Sequence, residues 1–302
     1  MVIDKIVEKT IEKKNPCIVG LDPEWEKIPE CYKHENLSKT TVVKNWAIDI
    51  IDTVKDIVVA IKPQMAFFEV FGYEGYKLFQ EIVQYAHSKG LIVIDDSKRN
   101  DIGNTARAYA YAHLAKAGPI NADFLTVSPF LGTDSIQPFV DTAFSENKGI
   151  FVLVKTSNPS SGEISDSINS NGEKVSEWLA KYINDVGRNL IGESGYSSIG
   201  AVVGATYPKE AKELRKIMKS NYFLVPGFGA QGGNKKDIAT FFNEDGLGAL
   251  ISSSRAILYS YPECKEFDNS KSMYLDIVKN ATIKMQQDVY EVLKSGCSKM
   301  KY

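Results

Sequence analysis

Residues 91–98 read Leu-Ile-Val-Ile-Asp-Asp-Ser-Lys, four apolar residues in a row followed by charged and polar ones. The apolar run is continuous rather than alternating, which is typical of a strand buried on both faces and therefore of a parallel sheet. Further runs of this kind recur along the chain, at 17–21, 57–61, 124–127, 150–154, 199–203, 223–225 and 247–251. Amphipathic stretches of helical length, such as 73–88 and 173–191, lie between them.

This alternation predicts an α/β fold, a single (β/α)8 TIM barrel that forms one domain over residues 1–302. The runs extend over about 230 residues, close to the usual length of such a barrel. An open, doubly wound sheet is the alternative, but it usually has about five or six strands and a glycine fingerprint after the first one. Here the first run ends in Leu21-Asp22-Pro23, which is not that fingerprint. A barrel is therefore favoured over an open sheet.

The composition is that of an ordinary globular protein. Hydrophobic residues make up 43% and charged residues 25% of the 302 positions, a balance that excludes wholesale disorder. With 36 Lys and Arg against 38 Asp and Glu, the chain lacks the basic excess of a nucleic-acid binder. It has no apolar run near the ~18 residues of a membrane span and no secretory signal at its start. The four cysteines include no C-x-x-C pair, so neither a zinc site nor a disulfide framework is indicated. A cytoplasmic protein without a membrane or nucleic-acid partner is expected.

Charged residues stand at the carboxyl ends of several predicted strands, namely Asp22, Lys62, the segment 95–98 and Lys155. In a TIM barrel these ends meet at one mouth, where active sites lie. A single charged residue there is ordinarily a solvated strand end, but several together cost stability unless their charges pair. Lys155 is assigned no role beyond a salt bridge. The Ser-, Asn- and Gly-rich segment 157–171 after the fifth strand is either a disordered surface loop or an active-site lid.

The segment after the third strand has both a structural and a functional interpretation. Asp96 and Lys98 are two residues apart and project from the same face if the chain stays extended, and Asp101 falls where a helix N-cap is expected. A surface salt bridge and a helix cap would account for these residues. Alternatively, opposite charges about 4 Å apart, which interact by roughly 4 kcal/mol at an effective dielectric of about 20, would hold Lys98 protonated and rigid. A positioned proton donor needs both properties.

Two later segments indicate a phosphate site. Pro226-Gly-Phe-Gly-Ala-Gln-Gly-Gly233 follows the seventh strand, and Ser252-Ser-Ser-Arg255 follows the eighth. Backbone N–H groups exposed by glycine, a helix N-terminus and a bidentate arginine all bind anions. Because the loops after strands seven and eight are the usual phosphate site of a TIM barrel, we predict phosphate binding here, with the loop 228–236 closing over it.

Taken together, these residues resemble the orotidine 5′-phosphate decarboxylases, in their longer, bacterial-style branch (type 2). The D-x-K-x-x-D-I-x-x-T pattern of that family matches residues 96–105, and its P-G-x-G-A-Q-G-G pattern matches residues 226–233. Lys62, Asp22 and the T-S-N-P segment at 156–159 also fit, and the order is consistent from about Ile18 to Ile257. D-x-K-x-x-D alone is shared with sugar-phosphate decarboxylases and synthases of the same superfamily, but its combination with the G-A-Q-G-G loop is specific.

The resemblance implies decarboxylation of orotidine 5′-monophosphate to UMP, the last step of de novo pyrimidine biosynthesis, without a metal or an organic cofactor. It makes Lys98 the donor of a proton to C6 of the pyrimidine, places Asp96 beside the departing carboxylate and lets Lys62 bridge Asp96 and the ribose. Asp101 completes the catalytic set. The implied substrate-binding residues are Asp22 for the ribose hydroxyls, Gln64 and Ser157 for the pyrimidine edge, Gln231 for base and phosphate, Ser254 and Arg255 for the phosphate, together with Ile102, Thr105 and Pro226.

The resemblance also implies a homodimer, in which Asp101 and Thr105 would reach into the neighbouring subunit's site. Which of Gln64 and Ser157 reads the pyrimidine stays open, because loop sequence varies between branches. Two other functions are kept as alternatives. One is a metal-dependent sugar-phosphate lyase or decarboxylase of the same superfamily, which a chelator would inactivate. The other is a non-catalytic protein that binds nucleotide phosphates.

Overall fold

The computed structural model describes residues 1–228 and 235–302. Within these residues the strands form one closed barrel in sequence order, and each strand pairs in parallel with its neighbours. The predicted TIM barrel is therefore confirmed. The strands are β1 (Cys17–Leu21), β2 (Ala60–Pro63), β3 (Ile92–Arg99), β4 (Phe124–Val127), β5 (Gly149–Lys155), β6 (Ser197–Val203), β7 (Asn221–Pro226) and β8 (Ala249–Ser253).

Helices cover the outside of the barrel. The predicted helix 73–88 corresponds to α4, whereas the predicted helix 173–191 is shortened to α8, because Lys174 forms a β-bridge with Ile168 and a 3-10 turn follows at Arg188–Leu190. No helix in the described part of the chain is long and apolar enough to cross a membrane. The α-helices are α1 (Val2–Lys13), α2 (Lys39–Val54), α3 (Ala66–Glu69), α4 (Gly72–Ser88), α5 (Gly103–Leu114), α6 (Thr133–Glu146), α7 (Gly162–Ser165), α8 (Val175–Gly187), α9 (Pro208–Ile217), α10 (Arg255–Leu258) and α11 (Lys271–Gly296).

Two strands differ by three residues or more from the predicted positions. β2 begins at Ala60 rather than at Ile57, since the N–H groups of Ile57 and Val58 bond to the carbonyl of Val54 and finish the turn after α2. β3 continues past the apolar run and ends only at Arg99. It thereby carries charged side chains to the mouth of the barrel.

The barrel encloses an apolar interior that is separate from the core between strands and helices. Helix α1 contributes its apolar face to this interior. Lys13 Nζ of α1 donates to the carbonyl of Val58 at 2.8 Å, and the N–H of Ser194 donates to Asp4 Oδ1 at 2.9 Å. Because Val58 and Ser194 lie just before β2 and β6, α1 closes the amino-terminal end of the barrel. The interior residues include Ile18, Ala60, Ile94, Phe124, Phe151, Leu224, Leu250 and, from α1, Val2, Ile3, Ile6 and Val7.

Arg215 of α9 is buried among backbone carbonyl groups near the same end of the barrel. Burial lowers the pKa of its guanidinium to about 10. The bonds tie α9 to the amino-terminal ends of β7 and β8. The guanidinium donates, over 2.6 to 3.1 Å, to the carbonyls of Met218, Asn221, Phe241 and Gly248.

Candidate active site

The carboxylate of Asp96 lies at the centre of the mouth and accepts a hydrogen bond from each of four side chains. Lys62 Nζ and Gln64 Nε2 donate to Oδ2 at 2.6 and 3.2 Å. Lys98 Nζ and Thr126 Oγ1 donate to Oδ1 at 2.6 and 3.0 Å. Each carboxylate oxygen therefore has two donors, which is its ordinary capacity. These groups come from β2 and the residue just after it, from β3 and from β4, which are parallel neighbours in the barrel.

The charges of this cluster stabilise one another. Burial alone would raise the pKa of Asp96, but the charges and hydrogen bonds of Lys62 and Lys98 lower it well below its usual range. Burial likewise favours the neutral amine of Lys62, yet the carboxylates of Asp96 and Asp22 outweigh it and raise the pKa of Lys62 above its ordinary value. At neutral pH the site thus holds an ionised Asp96 and a charged Lys62.

Lys98 has an unusual backbone conformation. Its φ of 47° lies in the left-handed region, which costs an L-residue roughly 1–2 kcal/mol. The pairing of β3 with β4 is irregular at the same place, between Asp95 and Arg99. The sequence predicts an extended segment here, so the structure differs from that expectation. Even so, Lys98 and Asp96 do lie on the same side, because the irregularity turns the lysine toward the carboxylate.

The opposite side of β3 is fixed by a second chain of polar groups. Asp95 Oδ2 lies 2.6 Å from His113 Nδ1, and Arg99 Nε donates to His113 Nε2 at 3.1 Å. Since Nε2 accepts from the guanidinium, the proton of His113 is assigned to Nδ1, where it is donated to Asp95. Arg99 also pairs with Glu69 at 2.7 Å. These contacts fasten the end of β3 to α5 and α3.

A cavity of about 160 Å³ opens beside Asp96. Within it, Asp22 Oδ1 is buried and has no hydrogen-bond partner among the described residues, so it is free to accept from a ligand. Gly20 allows β1 to approach the end of β8, because an added Cβ would lie 1.8 Å from Ser254 Oγ. The cavity is lined on one side by Asp22, Lys62, Gln64 and Asp96, and on the other by Pro226, Gly227, Phe228, Ser252, Ser253, Ser254 and Arg255.

Some residues of the predicted site lie outside this cavity. Asp101 is half-buried, and Ile102 and Thr105 are exposed at the start of α5. Asp101 is not the N-cap that its position predicts, since Ile102 occupies that position and Asp101 Oδ1 accepts from the N–H of Ile102 at 2.8 Å. Gln231, and with it most of the predicted closing loop 228–236, falls outside the described residues.

Ser157 is half-buried but does not line the cavity. Its backbone packs against Gly204, where an added Cβ would lie 2.8 Å from Ser157 Cα. The segment 157–171 that follows contains a 3-10 turn at Pro159–Ser161 and the single turn of α7. One contact between this segment and the barrel is made by Lys155, the last residue of β5, whose Nζ lies 2.7 Å from Asp166.

Thr126 is the functional candidate that the sequence did not reveal. It belongs to the run Phe124-Leu-Thr-Val127, where threonine is an ordinary residue for a strand. The one available signal is a hydroxyl in an otherwise apolar strand that ends at the mouth. Among the described residues, no three His, Cys, Asp or Glu side chains are grouped so as to hold a metal ion.

The fold and this site define a TIM-barrel enzyme whose charged residues stand on the carboxyl ends of β1, β2 and β3. The family model of orotidine 5′-phosphate decarboxylase / HUMPS matches residues 15–267 of the chain. The chain therefore belongs to the orotidine 5′-phosphate decarboxylase / HUMPS family. At 302 residues it corresponds to the longer, type 2 bacterial branch, which confirms the resemblance seen in the sequence.

Individual relatives match over nearly the whole chain. An orotidine 5′-phosphate decarboxylase of Rhodopirellula baltica is 41% identical over 282 residues, which cover 90% of this chain and 93% of the relative. One of Clostridium tetani is 37% identical over 295 residues, which cover 98% and 100%. Among solved structures, OMP decarboxylase of Leishmania donovani superposes with a TM-score of 0.74 at 26% identity, covering 97% of this chain and 98% of that one. UMP synthase of the same organism gives 0.76 at 28% identity, covering 96% of this chain and 56% of that one.

Proposed function

We propose that the cavity at the mouth of the barrel is the active site of this chain and that Lys98 is its proton donor. The reaction is that of the family: the chain is a carboxy-lyase that converts orotidine 5′-monophosphate to UMP in pyrimidine biosynthesis. The observation that carries the proposal is the 2.6 Å contact of Lys98 Nζ with Asp96, a carboxylate that Lys62 binds at the same distance.

The chemistry requires fixed positive charge. Loss of CO2 breaks the bond at C6 and leaves its electron pair in the plane of the ring, where no adjacent π system delocalises it. An ammonium held near C6 in a site with little water stabilises the developing anion. Lys98 then transfers a proton from Nζ to C6. Solvent returns a proton to the amine once the site reopens, since the Lys98 side chain is 43% exposed in the ligand-free chain. These steps use no metal and no organic cofactor.

Binding of the unreactive parts of the substrate supplies the rest of the rate enhancement. One charge contact gives roughly 4 kcal/mol, whereas enzymes typically lower barriers by about 8–23 kcal/mol. We assign Asp22 to the ribose hydroxyls because its Oδ1 is buried and unpartnered within the described residues. Ser254 and Arg255 are assigned to the phosphate because they line the cavity opposite Asp96. The binding energy of these contacts lowers the activation barrier for the reaction at C6.

The pyrimidine itself is assigned to Gln64 and Ser157. Gln64 lines the cavity, whereas Ser157 requires the segment 157–171 to close as a lid. Gln231 is assigned to base and phosphate, with loop 228–236 as a second closing element. Closure of both would exclude water from the charged array.

We also propose a homodimer with shared sites. Asp101, Ile102 and Thr105 follow β3 and stay outside their own chain's cavity, as residues that serve a neighbouring subunit would. The segments that follow β2 and β4 on either side expose large apolar side chains whose burial favours association: Val70, Tyr73, Phe130 and Leu131. A cytoplasmic location is proposed because all four cysteines are free thiols, as a reducing compartment keeps them.

Kinetics of Lys98→Ala on orotidine 5′-monophosphate test this function. We expect kcat to fall by at least about 10²-fold, the usual contribution of a positioned proton donor, while UMP still binds. Lys181→Ala, which removes an exposed ammonium paired with Glu173, is the matched control.

Retention of more than about a tenth of kcat by Lys98→Ala would remove the lysine from this role. EDTA is expected to have no effect on the parent chain, whereas a metal-dependent sugar-phosphate lyase would lose activity. A non-catalytic nucleotide-binding protein would bind UMP and leave orotidine 5′-monophosphate unchanged.

A further inference from the structure

One buried hydroxyl connects Asp96 and Lys98, two of the charged residues of β3. Thr126 is 1% exposed and points from β4 into the barrel. Its Oγ1 lies 3.0 Å from Asp96 Oδ1 and accepts a hydrogen bond from the backbone N–H of Lys98 at 2.9 Å. Thr126 itself does not line the cavity beside Asp96. Lys98 does not line this cavity either, but its side chain is 43% exposed, whereas Thr126 is buried. Thr126 therefore contacts the two charged residues from within the barrel wall, on the side away from solvent.

The two hydrogen bonds fix each other's direction. Because Oγ1 accepts from the N–H of Lys98, its own proton is available for the carboxylate of Asp96. The carbonyl of Asp95 is the other acceptor in reach, but it is farther away at 3.4 Å. A single hydroxyl thus holds the counterion of Lys98 and the backbone from which its side chain extends.

The backbone bond matters because of the conformation at Lys98. A positive φ is sparsely populated for a residue with a Cβ and persists only where surrounding contacts impose it. The N–H of Lys98 is directed to Thr126 at the point where the pairing of β3 and β4 becomes irregular. Without the hydroxyl, this N–H would be left without its partner in the barrel wall, and a relaxed backbone would turn the side chain away from Asp96.

We propose that Thr126 is a positioning residue for proton transfer, holding the ammonium of Lys98 at the distance from C6 that the reaction needs. This inference rests on the proposed role of Lys98. Since Thr126 is buried and does not line the cavity, its loss lowers kcat and leaves nucleotide binding unchanged. Displacement of a reacting group by about 1 Å costs on the order of 10²-fold in rate, which sets the expected scale.

The test compares Thr126→Val, which removes the hydroxyl at nearly constant volume, with Thr126→Ser, which keeps it. We expect Thr126→Val to lower kcat about 10- to 100-fold, with KM and the inhibition constant of UMP within about twofold of the parent. Thr126→Ser should restore kcat to within about threefold. Thr126→Ala provides the same measurement if the valine variant does not fold.

Thr282→Val is the matched control. Thr282 is also fully buried, but its hydroxyl donates to the carbonyl of Val278 within α11, and Thr282 neither bonds to Asp96 nor lines the cavity. Thr282→Val should leave kcat unchanged. The proposed function is tested separately, by the activity of the parent on orotidine 5′-monophosphate and by the loss of that activity in Lys98→Ala. A kcat for the hydroxyl-free variants near that of the parent would refute the positioning role, as would a serine variant as slow as the valine one. A crystal structure of Thr126→Val in which Lys98 keeps its positive φ and its contact with Asp96 would refute it independently of activity.

Discussion

The ammonium of Lys155, which has no exposed surface, lies 2.7 Å from the carboxylate of Asp166, eleven residues further along the chain. It also donates to Ser165 Oγ at 2.9 Å and lies 4.4 Å from the ring centroid of Tyr207. These contacts fasten the segment 157–171 to the end of β5. A segment that acts as a lid must therefore move about this anchor, with Ser157 close to the fixed end.

Lys155→Met tests the anchor. We expect KM for orotidine 5′-monophosphate to rise about tenfold with a smaller change in kcat, because the free enzyme would hold the segment in its binding-competent arrangement for less of the time. Steady-state kinetics measure the rise in KM. Limited proteolysis measures the loss of order, which we expect to appear as faster cleavage within 157–171. Asp166→Asn should act in the same direction.

The control for the anchor is Lys181→Met, which removes an exposed lysine from its pair with Glu173, a residue just after the segment. It should change neither KM nor proteolysis. Unaltered KM together with unaltered proteolysis in Lys155→Met would show that the ion pair does not order the segment.

The free energy of unfolding should depend on pH through Asp96. Burial opposes its ionisation, but Lys62 and Lys98 lower the pKa of this carboxyl in the folded protein. Between the folded and unfolded pKa values the unfolded chain binds more protons, so stability rises with pH. The contribution is complete above the ordinary aspartate value of about 4 and is lost as the pH falls below it.

Asp96→Asn should reveal this contribution. The change removes the carboxylate that Lys62 and Lys98 share, leaving only Asp22 near the buried Lys62, and is expected to cost about 3–5 kcal/mol at neutral pH. Urea unfolding between about pH 3 and 7 should show the difference from the parent narrowing at the acid end. Asp185→Asn, at an exposed pair with Arg188, is the control. A difference that stays constant with pH would contradict the assignment.

Arg215 should be worth more to stability than an arginine on the surface. Arg215→Met leaves several buried carbonyls without a donor, and we expect a loss of about 3 kcal/mol or more. Arg215→Lys should lose less, since lysine supplies three of the donors. Arg188→Met, at an exposed position, should stay within about 0.5 kcal/mol of the parent. Denaturant unfolding gives all three values, and an Arg215→Met variant as stable as Arg188→Met would contradict the expectation.

The proposed homodimer with shared sites predicts complementation between inactive variants. In a mixed dimer of Lys98→Ala and Asp101→Ala, one of the two sites combines an intact Lys98 with an intact Asp101 from the other subunit. Random mixing should therefore restore about a quarter of the parent's activity, although each variant alone is inactive. Activity assays before and after co-refolding give the result.

The control for complementation mixes Lys98→Ala with Asp96→Ala. Lys98 and Asp96 of one chain belong to the same site, so each of the two sites in the mixed dimer carries one of the two changes. No intact site forms, and no activity should return. Absence of recovery in the first mixture, with dimers present by size-exclusion chromatography, would show that each site is built from one chain.

The sequence predicts the barrel and most of the charged array because both depend on short, contiguous stretches of residues. Continuous apolar runs give the strands, and a charge at the end of such a run, as at Lys62 or Asp96, is visible without any knowledge of contacts. The sequence does not predict where β3 ends, because its last residues are polar, which is typical of a loop.

The remaining features of the site depend on contacts between strands. Thr126 meets Lys98 through an irregular register of β3 and β4, which no spacing within either strand encodes. The positive φ at Lys98 has no sequence signal, because glycine and asparagine are the residues that usually mark it. For Lys155 a salt bridge is expected, but its partner lies in a segment whose composition indicates only a loop.

Helix α1 and the filled interior of the barrel block the amino-terminal end as an exit for carbon dioxide. In the proposed mechanism the gas forms beside Asp96, above an interior filled by side chains such as Ile94 and Phe124 and sealed underneath by α1. Within the described residues, its exit is the same mouth through which the nucleotide enters. Because a bound nucleotide occupies that passage, departure of the gas is tied to movement of the product and of the loops above it.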